Sequence, residues 1–202
     1  MARKKEYISQ FFMRDKLAFT AMSKAGIVSA ENLKHHCNLA ESRIKNYVRD
    51  GYAEKILFKD GKEFKEAYTL TSKGRELAER QWNLREHYHA QTRSPYHDLA
   101  LSDKYFSLSE QVRETWKTET QVRIEFMDKL EELRQQGHRD QANEYFDMMK
   151  QGLISMPDNV YTTETGVEMA YEVITDNYGR QEMLAKEIAV SIMEYGYETV
   201  RI

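Results

Sequence analysis

Three carboxylates stand where they could share a site. Asp158 follows Pro157 just ahead of a strand-like run at residues 159–163. Glu172 lies inside a second such run, 169–175, and Glu119 comes at the end of an earlier strand candidate, 112–116. An acid before one strand, an acid within the next and an acid at the end of a third would meet at one edge of a small sheet. Oxygen clusters of this kind bind magnesium or manganese, and a bound cation can activate water against a phosphodiester. The plainer alternative makes Pro157-Asp158 a turn and Glu172 a surface strand residue.

A second set of residues is basic. Ser42, Arg43, Lys45, Asn46 and Arg49 lie within residues 39–51, whose apolar members Ile44, Tyr47 and Val48 recur at helical spacing. Asn and Arg suit paired hydrogen bonds to purine edges in a major groove, while Lys and Ser suit phosphates or bases. Lys55, Lys59, Lys62 and Lys65 follow on a hairpin pattern, where they suit phosphate or minor-groove contact. Arg3, Lys4 and Lys5 read as a basic arm. His35, His36, His87 and His89 lack the partners that structural zinc uses. Cys37, the only cysteine, excludes an internal disulfide and fits a reducing, cytoplasmic setting.

These residues need elements to hold them. Residues 14–25 predict a helix, and residues 30–37 a second one with Ser29 as N-cap. A break at Asn38 then leads into the helix of the basic face, and Gly51 supplies the positive φ that ends it. Residues 53–58 and 64–70 predict strands about an Asp60-Gly61 turn, and Thr71 or Ser72 caps a charged helix over 75–91. That helix, with Trp82, is a candidate dimer surface. The polar stretch 91–95 is the expected boundary between domains 1–95 and 96–202. Beyond it, residues 97–107 read as helix and 112–116 as strand. Residues 121–136 and 139–151 form an αα-hairpin about Gly137, with Phe126 and Phe146 as further dimer candidates. Two strands, a helix over 179–195 lined by Leu184, Ile188 and Ile192, and a strand over 197–202 complete the chain.

The net charge of −3 conceals an asymmetry: residues 1–95 carry 19 Lys/Arg against 12 Asp/Glu, and residues 96–202 carry 11 against 21. Polyanions should therefore meet the first half. The acidic half fits a protein partner, a metal or solubility. No apolar run approaches membrane-spanning length, and no apolar signal core follows the basic N-terminus.

Helix, turn, helix and hairpin in this order, closing on Leu70-Thr71-Ser72-Lys73-Gly74, resemble the winged-helix DNA-binding domains of bacterial and phage regulators. Pro157-Asp158 and Glu172-Val173-Ile174 resemble the core of PD-(D/E)xK nucleases, with Ile174 where that core has lysine. The resemblance implies that Lys186, on the following helix, can substitute. Together with His97-Asp98-Leu99-Ala100 and Trp116-Lys117-Thr118-Glu119, the whole is similar to the replication-relaxation family of plasmid, phage and integrative-element proteins. The expected fold is α+β: an N-terminal winged helix and a C-terminal α/β domain with a small sheet and an αα-hairpin insertion. The expected function is sequence-directed binding of double-stranded DNA, as a homodimer, in replication, mobilisation or its control. A metal-dependent nuclease or relaxase, and a transcriptional repressor with a C-terminal dimerisation or protein-interaction domain, are the alternatives.

Overall fold

The computed structural model describes residues 6–90, 94–176 and 178–202. The basic arm Arg3–Lys5 and residues 91–93 of the expected boundary lie outside these. The chain is mixed α and β and divides into two compact units, residues 1–108 and 109–202.

In the first unit, α1 (Met13–Ala25), β1 (Val28–Ser29), α2 (Ala30–Cys37) and α3 (Glu41–Arg49) lead into the hairpin of β2 (Ala53–Asp60) and β3 (Glu63–Leu70). Ser29 caps α2 by accepting a hydrogen bond from Asn32 N at 3.1 Å, and Asn38 ends it in the left-handed region at φ 51°. α3 gives way to the hairpin at Gly51, φ 76°. The hairpin turns over Gly61 and Lys62, and Gly61 at φ 60° suits the first position of a type II′ turn. β1 pairs with β3 only at Tyr68 and Ala67, so the outer half of the hairpin is a two-stranded ribbon.

α4 (Ser72–Trp82) follows, with Thr71 Oγ1 accepting from Gly74 N at 3.1 Å. Gly74 is required by contact: a Cβ there would lie 2.0 Å from the Tyr52 carbonyl oxygen. α4 ends at Trp82, well short of residue 91, because Asn83 turns left-handed at φ 55°. Trp82 packs edge-on to Phe19 and Phe11 at 5.2 and 5.8 Å and is half-buried. α5 (Tyr96–Ser107) packs on α1 and β1, so this unit runs to Leu108 and the division falls after the expected one at Pro95.

The second unit opens with α6 (Glu110–Glu114), where a strand was expected. The strand, β4 (Lys117–Thr118), comes just after it, and Thr118 at once caps α7 (Glu119–Gln135). α7 and α8 (Arg139–Lys150) form the expected αα-hairpin, with Gly137 at φ 93° between them. β5 (Asn159–Thr162) and β6 (Glu168–Ile174) are antiparallel; α9 (Arg180–Met193) then carries the chain to β7 (Gly196–Arg201), parallel to β6. The sheet order is β4-β5-β6-β7. Val122, Phe126, Leu130, Met156, Val160, Ala170, Ala189 and Val190 form its core. Phe126 is therefore committed inside, and Phe146 is partly buried against the same core. Leu184, expected on the inner face of α9, is 55% exposed; the buried face is instead Ala185, Lys186, Ala189 and Val190.

Candidate functional site

Two places bring the chemistry-bearing residues together, one in each unit. The first is α3. Ile44 and Tyr47 are buried, and Ser42, Lys45 and Arg49 are exposed with Asn46 half-exposed beside them. Val48, expected inside, is 37% exposed and joins this outer face. Lys45 pairs with Glu41 one turn earlier at 2.5 Å, an exposed pair that is worth little and is easily exchanged for another anion. Arg49 lies over the Tyr7 ring, 5.3 Å from its centroid.

Arg43 is a correction. Its guanidinium turns back and grips Asp15 of α1, with Nε donating to Oδ1 at 2.9 Å and Nη2 to Oδ2 at 2.8 Å; Nη2 also donates to the Gln10 carbonyl at 2.6 Å. Tyr47 donates its hydroxyl to the same carboxylate, and Phe12 N donates to Asp15 Oδ2 at 2.6 Å. Asp15 is fully buried. Arg43 thus fixes α3 on α1 and is not available to a base. Burial first, and the Asp15 charge after it, push the Tyr47 phenol well above its ordinary value.

On the hairpin, Lys65 pairs with Asp60 at 2.6 Å and Lys55 with Glu66 at 3.0 Å. Lys59 and Lys62 have no ion pair among the described residues. His87 is half-buried and shares a 2.7 Å hydrogen bond with Ser23; burial, with Arg75 nearby, lowers its pKa. His36 stacks on Phe106, with ring centroids 4.7 Å apart.

The second place lies on the two inner strands of the four-stranded sheet, at the end where β5 begins. Asp158 immediately precedes β5, Glu172 sits within β6 and Lys186 lies on α9. Backbone amides fix both acids: Asp158 N donates to Glu172 Oε2 at 3.0 Å, and Val173 N to Asp158 Oδ2 at 2.9 Å. Lys186 Nζ stands between them, 2.6 Å from Glu172 Oε1 and 3.4 Å from Asp158 Oδ1. Tyr178 donates its hydroxyl to Glu172 Oε1 at 2.6 Å. All three charged side chains are buried. Burial and the neighbouring Asp158 charge raise the Glu172 pKa. Burial alone would lower that of Lys186, but Asp158 and Glu172, with Glu119 further off, outweigh it and hold the ammonium above its ordinary value.

Asp158, Glu172 and Lys186 therefore converge, and position 174 does not leave the site without a cation. Glu119 is the exception. It opens α7, is partly exposed, and pairs with Arg123 at 2.8 Å. Among the described residues no three Asp, Glu, His or Cys side chains are grouped to hold a metal ion. The chemistry agrees: every carboxylate oxygen of Asp158 and Glu172 already accepts a hydrogen bond or ion pair, and an ammonium stands where a cation would bridge them. As placed, these residues do not fit magnesium or manganese.

Sequence reading missed Tyr178 and Asp15. Both act only through contacts with residues that no local pattern links to them. Compared with protein-family models, with curated proteins and with solved structures, the chain matches none of them.

Proposed function

We propose that the first unit is a winged helix and that the protein binds double-stranded DNA in a sequence-directed way. The observation that carries this reading is the outer face of α3: Ser42, Lys45, Asn46 and Arg49 stand free of the core on a helix that a buried Asp15–Arg43 clamp holds rigidly. A recognition surface needs that combination, since groups that read base edges must be solvent-exposed yet fixed in orientation. Lys59 and Lys62 add phosphate contacts. The charge is distributed accordingly, with 20 Lys/Arg against 14 Asp/Glu in residues 1–108 and 10 against 19 in 109–202. Pairing on two half-sites as a homodimer, with a role in replication, mobilisation or its control for a mobile element, belongs to the same proposal. A titration of full-length protein into labelled duplex at rising salt tests it. Affinity should fall steeply with salt; no binding at low salt would refute the reading.

A second reading rests on the convergence of Asp158, Glu172 and Lys186. Two carboxylates and a lysine gathered on the inner strands of a small sheet are the ingredients of a phosphodiester-cleaving site, where the ammonium would meet the charge that develops on the phosphate. Against turnover stands the engagement of Lys186 with both acids. Incubating supercoiled plasmid with the protein and magnesium or manganese separates the two. Nicking that disappears in Lys186→Ala would make this unit an enzyme. Intact plasmid would leave it a nuclease-like scaffold serving dimerisation or a protein partner.

A further inference from the structure

The hairpin carries a feature that its fold does not explain. One of its faces packs on the core through Ile56 and Ala67, with Phe58 edge-on to Tyr96. The opposite face of a half-buried hairpin should be polar. Here it presents Phe64 at 75% exposure and Leu57 at 59%, the first of these greater than for any other large apolar side chain among the described residues. Phe64 sits directly across from Lys59 and two residues from the turn. The stretch of ribbon that bears it has no third strand, so it is thin enough to enter a groove.

The charges around it are selective. Lys55 and Lys65 are neutralised by Glu66 and Asp60, while Lys59 and Lys62, which flank the phenyl ring in sequence and across the ladder, have no carboxylate partner among the described residues. α3 packs beside β2, the strand that carries Lys59. An aromatic ring with two unneutralised cations beside it is complementary to a polyanion with stacked rings inside its grooves. It is less suited to an apolar protein surface, which would leave both lysines buried without partners.

We propose that Phe64 is an aromatic wedge, seated against the base steps of a duplex while Lys59 and Lys62 hold the flanking phosphates. This deepens the DNA-binding reading and rests on it. Side chains used in this way unstack a step and bend the helix.

The experiment uses full-length protein and a random-sequence duplex pool carrying a fluorescent adenine analogue that brightens when unstacked, with binding followed separately by anisotropy. Wild type should bind and raise the analogue signal. Phe64→Ala, whose side chain is too exposed to matter to folding, should lose most of that rise and bind about tenfold more weakly. Phe64→Trp should keep the rise and show tryptophan quenching by the duplex. Binding by wild type without any rise, or an equal rise in Phe64→Ala, overturns the wedge and leaves DNA binding standing. A change of oligomeric state in Phe64→Ala without DNA overturns it in favour of a contact between copies. If wild type fails to bind the pool, both the wedge and the DNA reading fall.

Discussion

Each unit buries a network of charges, and the two are built differently. Asp15 meets one guanidinium and one phenol, so its charge is cancelled where it lies. Asp158 and Glu172 both pair with the Lys186 ammonium, and the Tyr178 hydroxyl adds a hydrogen bond to Glu172. The first network joins α1 to α3 and has a structural task. The second joins the two inner strands of its sheet to a helix, where burial first, and the Asp158 charge after it, raise the Glu172 pKa. Two acids buried side by side raise a carboxylate pKa, and perturbed carboxylates gather at functional sites more than in cores. Two acids meeting on one lysine thus set the candidate site apart from a clamp with a single acid, although both are built from the same residue types.

The difference can be measured by removing one partner from each network. Asp15→Ala strips both Arg43 and Tyr47 of their acceptor and should cost about 3–5 kcal/mol, read as a lower denaturant midpoint for the first unit. A loss below about 1 kcal/mol would mean that the clamp is dispensable. Lys186→Met leaves two carboxylates face to face and should cost roughly 3 kcal/mol at neutral pH. Here the sign with pH is diagnostic. Glu172 has a folded-state pKa raised above its unfolded one, so its contribution is fully present below the unfolded value and lost as pH rises through the folded value. Removing the ammonium shifts that loss to higher pH, so Lys186→Met should recover stability on acidification more strongly than wild type. Parallel melting-against-pH curves for the two proteins would contradict this role of Lys186.

Smaller effects belong to the α3 surface and to Lys24. Asn46→Ala and Arg49→Ala should each cost roughly 1–3 kcal/mol on a preferred sequence and little on random duplex, while Lys62→Ala should weaken both equally. Equal losses for all three would mean that α3 does not read bases. Lys24 is mostly buried, and desolvation, partly opposed by Glu86, lowers its pKa from 10.5 to about 8. Its neutral form is favoured in the fold, so the first unit should gain stability as pH rises from about 8 to 10.5. Lys24→Met should flatten that rise in a thermal melt series, and a rise of unchanged size would assign it to another group.

The local signals in the sequence were sound. Ser29, Asn38, Gly51, Thr71 and Gly137 mark element ends because caps and left-handed turns are decided by one or two residues. Helix length after the hairpin was not legible, since nothing in residues 75–91 requires the left-handed turn that Asn83 takes. Residues 112–116 have strand-forming side chains, yet Ser109 opens a short helix there and the pairing shifts to Lys117–Thr118. On α9, periodicity favoured the bulky Leu184 over the small residues and lysine that are buried. The second site was legible as far as Asp158, Glu172 and Lys186. Glu119 was misplaced because it begins a helix and turns to Arg123. Arg43 looked like its exposed neighbours, since its partner Asp15 lies 28 residues away in the chain.

Selection of duplexes from a random pool by full-length protein addresses DNA reading most directly. After several rounds at moderate salt, wild type should enrich one motif, and Asn46→Ala should enrich a broader set differing at one position. Recovery of unbiased sequence by wild type, or an unchanged motif for both Asn46→Ala and Arg49→Ala, would contradict sequence-directed binding through α3.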